Sequence, residues 1–123
     1  MMIEDKKRKV RWQADEVEDH VRDLKKKENK TTHLIQDIAR LHQRQREVLN
    51  EILYYSKGTH AERSATIDLE DLEQEQHSIM RHFEEGQEEL HILSQSEQRK
   101  QEQLQEDLIL LQRKEEEEKD AKN

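Results

Sequence analysis

Apolar residues recur along the first half of the chain with a seven-residue period. One position reads Ile3, Val10, Val17, Leu24, Thr31, Ile38, Gln45 and Ile52. Its companion reads Ala14, Val21, Glu28, Ile35, His42 and Leu49. Two apolar positions per heptad form the seam of a coiled coil, so this stretch predicts one long helix. From residue 34 onward Leu34, Leu41, Val48 and Tyr55 add a third apolar position. A two-position seam suits one neighbouring helix, and a three-position face suits two. Residues 34–55 are therefore expected to face more than one helix.

The second half repeats the theme. Leu69, Leu72, Ile79, Phe83, Leu90 and Leu93 fall at seam spacing, with Met80 beside them, and Gly86 lies on the seam. Such a glycine either lets another helix approach closely or weakens its own, by about 1 kcal/mol against alanine. Ser94–Gln103 has no apolar residue; Leu104, Leu108 and Leu111 then resume the stripe, and are expected to favour association if exposed. Glu115–Asn123 reads as a frayed acidic tail.

Between the halves lies Tyr54-Tyr55-Ser56-Lys57-Gly58-Thr59-His60-Ala61-Glu62. Lys57 suits the last turn of a helix, Gly58 suits the left-handed residue that closes one, and Thr59 with Glu62 matches a capping box that opens the next. Thr66 offers a second start, so the bend is either a tight one near Ser56–Thr59 or a longer one reaching Ala65, the tight form being favoured. The expected architecture is all-α: a single antiparallel helical hairpin over 1–123, with arm one at 3–56, a bend at about 56–65, arm two at 60–114 and the tail at 115–123.

Charge supports the antiparallel sense. Residues 1–65 carry 15 Lys/Arg against 12 Asp/Glu, and residues 66–123 carry 7 against 18; the excesses of +3 and −11 make up the net −8. Folding about the bend sets Lys6-Lys7-Arg8-Lys9 opposite Glu115–Glu118. With 42% charged and 3% aromatic residues the chain is too polar for an ordinary globular core, and the unbroken heptad frame decides for helices over disorder. Polar seam positions, among them Glu28, Thr31, Gln45, Gln76, Glu97 and Lys100, make the hairpin marginal alone, so it calls for a partner.

Chemistry finds little footing. There is no cysteine and no Gly-rich phosphate loop, and the seven histidines include no His-Glu-x-x-His. Glu88-x-x-His91 is half of a carboxylate metal motif, with Glu88 off the seam. No catalytic residue, cofactor or metal is expected. The basic run with Trp12, followed by Lys25-Lys26-Lys27, has an acidic mate in the other arm, so neither nucleic acid nor a membrane is expected as partner, and Trp12 is read as flanking or covering the seam. No apolar run is long enough to span a bilayer and no secretory leader is evident, which makes the cytoplasm the default compartment.

Three roles remain: an adaptor or chaperone for a helical protein, a self-assembling structural coiled coil of phage or spore origin, and a nucleic-acid accessory protein. The widened face favours the first. Partner contacts are expected at Leu34, Ile38, Leu41, Val48, Leu49, Ile52, Tyr55, Ile79, Phe83, Leu90, Leu104 and Leu108, with residues 34–55 and 79–93 laid along the partner's helices.

The segment Leu53–Arg63 (LYYSKGTHAER), the Glu/Gln/Leu-rich arm after it and its ending LILLQRKEEEE make the chain resemble the small LXG-associated α-helical proteins of Firmicutes. That resemblance implies binding to the long helical N-terminal domain of an LXG toxin and a role as targeting factor for the type VII secretion system, with a second small helical protein or a homodimer as further partners and co-export with the toxin as an option. The outline is also similar to a WXG100-type hairpin. The bend, however, lacks Trp-x-Gly, and neither Tyr54 nor Tyr55 has an acidic residue four positions on. The usual export signal would then come from another small protein.

Overall fold

The computed structural model describes residues 2–122, of which nearly all lie in two α-helices, α1 (Ile3–Tyr55) and α2 (Ala61–Lys122), packed against each other. The sequence has no proline, and its Glu, Gln, Lys, Arg and Leu are strong helix formers, so nothing interrupts either element. Glu4 and Asp5 occupy the first turn of α1, where carboxylates offset the positive end of the helix dipole. Hydrogen bonds to the Met2 carbonyl from the amides of Asp5 (3.1 Å) and Lys6 (3.2 Å) close that turn.

The bend is the tight form, confined to residues 56–60. Gly58 has φ +79°, a left-handed conformation that only glycine adopts without strain. The Ser56 amide is shared between the carbonyls of Ile52 (2.9 Å) and Leu53 (3.2 Å), which finishes α1. The Thr59 hydroxyl donates to the Ser56 carbonyl at 2.6 Å and accepts from the Ala61 amide at 3.2 Å. The Glu62 carboxylate accepts from the Gly58 amide at 3.1 Å, so the capping box is present but reaches one residue further back than in its ideal form. Two expectations are corrected here. Lys57 is not in the last turn, because α1 ends at Tyr55; its ammonium lies 5.6 Å from the centre of the Tyr54 ring instead. Thr66 opens no helix; it is inside α2 and its hydroxyl donates back to the Glu62 carbonyl at 2.9 Å.

The chain divides into two compact units, each built from both helices: residues 28–89, and residues 1–27 with 90–123. Within 28–89 the inward residues of α1 are Thr31, Ile35, Ile38, His42, Arg46, Leu49 and Leu53. On α2 they are Ala65, Leu69, Leu72, Gln76, Ile79 and Met80. The heptad frame predicts Gln45 and Ile52 on this seam, and both are exposed; Arg46 and Leu53 take their places. An undistorted α-helix drifts about 20° per heptad against a strict 3.5-residue repeat, and from Ile38 the inner positions run 38, 42, 46, 49, 53, which absorbs the drift as one extra step of four. Gln76, 3% exposed, is the polar centre of this unit. Its amide nitrogen donates to the His42 carbonyl and to Gln45 Oε1, both at 3.1 Å, and its oxygen accepts from Arg46 at 3.1 Å. Gln87 donates to the Thr32 hydroxyl at 2.8 Å, a polar bond between α2 and α1 beside the polar seam position Thr31.

In the other unit Val21 and Ser94 are the most buried side chains, and the apolar-free stretch after Leu93 packs by virtue of a small residue. Lys7 pairs with Glu115, and His20 Nδ1 lies 3.6 Å from Glu97 Oε2. These contacts across the unit fix an antiparallel pairing, with the basic run of one segment beside the acidic run of the other. In the tail α2 continues to Lys122; Glu115 is half-buried where it meets Lys7, residues 116–122 are exposed, and Asn123 lies outside the described residues. No described side chain is fully buried in either unit.

Candidate docking surface

Once Arg46 and Leu53 take the inner positions, a set of apolar side chains on α1 is left facing water. Leu34, Leu41, Val48, Ile52 and Tyr55 are all exposed, Leu41 by 55% and Tyr55 by 80%. With the half-buried Ile38 and the polar Gln45 they run 34, 38, 41, 45, 48, 52, 55. That alternation of four and three is itself a coiled-coil seam, displaced around the helix from the one that packs on α2. Leu41, Val48 and Leu49 of α1 and Leu72 of α2 line a shallow groove of about 360 Å³, with Arg44 and Gln45 at its edge. Ile79 and Phe83 follow Leu72 at intervals of seven and four on α2 and so share its face; Phe83 is 39% exposed. A contiguous apolar stripe of this kind on a polar helix marks an interaction surface.

The twelve residues expected to contact a partner divide in two. Leu34, Leu41, Val48, Ile52, Tyr55 and Phe83 are exposed. Ile38, Leu49, Ile79, Leu90, Leu104 and Leu108 are half-buried within the hairpin. Leu104 and Leu108 do not form an exposed patch: they sit on the half-buried face of α2, and the exposed residues nearby are Ile109 and Leu110. Leu53 is missing from the expected seam. Its signal was the step from Leu49 to Leu53, a spacing of four that a fixed heptad frame passes over.

On the opposite side of residues 28–89, Ala39, His42, Arg46, Glu73, Gln76, His77 and Met80 line a second, polar groove of about 360 Å³. His77 Nε2 is 3.1 Å from Arg81, and among the described residues no three His, Asp or Glu side chains are grouped as a metal would require. In the other unit Lys6, Lys9 and Lys114, with Asp107, rim a groove over Val10, Leu110 and Leu111. Trp12 does not cover the seam; it is 64% exposed.

Two carboxyls are held below their ordinary range. Glu115 is lowered chiefly by its hydrogen bond from Lys7, with the charges of Lys7 and Lys119 adding to it and partial desolvation opposing. Glu97 is lowered first by its hydrogen bond from Lys100, 2.9 Å away, then by the charges of Lys100 and His20. The chief partner of Glu115 is on the other helix, whereas that of Glu97 is on its own.

No family model, curated protein or solved structure matches the chain. Among the described residues no helix is long and apolar enough to cross a membrane.

Proposed function

We propose that this chain is a non-enzymatic helical adaptor whose stripe over residues 34–55 receives an amphipathic helix of a partner protein. The observation that carries this reading is the second heptad seam, exposed along α1 beside the seam already used by α2. Full burial of a leucine, isoleucine or valine contributes about 1.5–3 kcal/mol, so four such residues offset a substantial part of the cost of association. The partner class follows from the sequence resemblance at Leu53–Arg63 and in the acidic end of α2. It is the helical N-terminal domain of an LXG toxin, for which this chain acts as a cytoplasmic targeting chaperone in type VII secretion. In that role it covers apolar surface on the toxin until export, with the export signal carried by a second small helical protein.

The test is co-expression with the N-terminal domain of an LXG toxin encoded beside this gene, followed by affinity capture on the toxin domain. The wild-type chain co-elutes. The double change Leu41→Glu and Val48→Glu abolishes co-elution and leaves the helical circular-dichroism signal of the isolated chain intact, because both side chains are about half exposed. Retention of the complex by that variant rules out the stripe as the docking surface.

A further inference from the structure

The outer flank of the stripe, on the side of α1 away from α2, carries Lys30, Asp37, Arg44 and Glu51, and all four are exposed. They recur every seven residues and alternate in sign: plus, minus, plus, minus. The inner flank, Ile35, His42 and Leu49, is turned toward α2 and is at least half-buried. When two helices pack antiparallel through such seams, it is the like flanks of the two copies that face each other. A charge series of alternating sign, run backwards against itself, meets opposite charges wherever neighbouring members align. It meets like charges wherever a member aligns with itself. The pattern is therefore self-complementary, and it rejects every register in which Asp37 meets Asp37 or Arg44 meets Arg44.

Three registers survive. One sets Lys30 against Asp37 and leaves Leu41, Val48 and Ile52 off the other copy's stripe. A second sets Asp37 against Arg44 and stacks Ile38 on Leu41, but puts Leu34 against Gln45 and leaves Ile52 and Tyr55 outside the stripe. The third sets Arg44 against Glu51 and stacks Leu41 on Ile52 and Ile38 on Tyr55, with Val48 on Gln45. An exposed ion pair stabilises less than the burial of one aliphatic side chain, so the register that covers the most apolar residues prevails over the one with more ion pairs.

We propose that a second copy of this chain docks antiparallel on the stripe, with Arg44 of each copy against Glu51 of the other and Leu41 against Ile52. The proposal deepens, and rests on, the reading of this stripe as a docking surface. The dimer keeps the stripe covered while no partner is present, and a partner helix binds by displacing the second copy. Self-pairing then competes with partner binding, and the fraction of the chain that is free to take a partner falls as its concentration rises.

The test is size-exclusion chromatography with light scattering on the full chain over a concentration series. The wild type runs as a dimer that dissociates on dilution. Arg44→Glu and Glu51→Arg, made singly at exposed positions, each weaken dimerisation about tenfold by replacing attraction with repulsion at two symmetry-related places. The double variant R44E/E51R restores it. A chain that is monomeric at every concentration overturns the proposal, and so does a double variant no better than the singles. Rescue by D37R/R44E in place of R44E/E51R overturns this register. Toxin-domain capture separates the two levels. A monomeric chain that still loses the toxin domain on L41E/V48E sinks the dimer and keeps the adaptor reading. A dimer that obeys the charge swaps while L41E/V48E still captures the toxin domain sinks the stripe as the toxin's docking surface and keeps the dimer.

Discussion

The side-chain amide of Gln76 on α2 donates to the main-chain carbonyl of His42 on α1 at 3.1 Å, in the most enclosed part of the unit formed by residues 28–89. A glutamine that bonds a backbone carbonyl fixes where one helix sits along the other, because its partner cannot be exchanged by a change of rotamer. Gln45 and Arg46 complete its bonding. Gln76→Ala leaves these groups without their partner and opens space, and is expected to cost about 1–3 kcal/mol. Gln76→Leu leaves the same groups unpaired but fills the space, and is expected to cost less than the alanine change. Thermal melts followed by circular dichroism order the three proteins; an alanine variant as stable as the wild type contradicts the assignment.

The two glycines are expected to respond with opposite sign. At Gly86 a Cβ would meet nothing within 4 Å, so Gly86→Ala stabilises the isolated chain by about 1 kcal/mol through helix propensity. At Gly58 there is also open space, but φ is +79°, and Gly58→Ala destabilises by about 1–2 kcal/mol through backbone strain. Denaturant melts of both variants check this, and a common sign for the two would be incompatible with the geometry.

Leu53 and Ile52 are adjacent, apolar and differently placed. Leu53→Ala, on the inner seam, is expected to lower stability by about 1–2 kcal/mol, a half-buried fraction of the cost at a core position. Ile52→Ala is expected to change stability by less than about 0.5 kcal/mol and to weaken capture of a helical partner. Equal losses of stability would contradict the shift of the seam.

Acid should loosen the pairing of residues 1–27 with 90–123. The Glu115 carboxyl titrates lower in the folded chain than in the unfolded one, so at any pH between the two values the unfolded state binds more protons. Its contribution is in full force above the ordinary carboxylate range and is lost as pH falls through the lowered folded value. Lys7→Met removes the main cause and is expected to raise the Glu115 titration midpoint in carbon-detected NMR and to reduce the acid sensitivity of the melt. An unmoved midpoint would show that Lys7 is not the cause.

The hairpin was legible because its signals are local and repeated. Gly58, with Thr59 and Glu62 after it, marks the bend to within a residue, and the heptads hold their frame from Ile3 to His42. What the sequence hides is cumulative or relational. The step to Arg46 and Leu53 arises from angular drift, which no single residue announces. Gln76 reads as a defect in an apolar seam until the His42 carbonyl is seen beside it. The stripe at Leu34, Leu41, Val48 and Tyr55 could be read as a third apolar position. Its exposure depends on which of two adjacent seams α2 occupies, and that is set by the packing of the two helices together.

Because no described side chain is fully enclosed, unfolding this chain hydrates little new apolar surface for its length. The heat-capacity change of unfolding scales with that surface, so it should fall below the roughly 12–15 cal/mol/K per residue of ordinary domains. A small heat-capacity change gives a flat stability curve. The isolated hairpin would then melt broadly, with little loss on cooling, and steepening of its calorimetric transition would itself report that a companion helix had closed over the stripe.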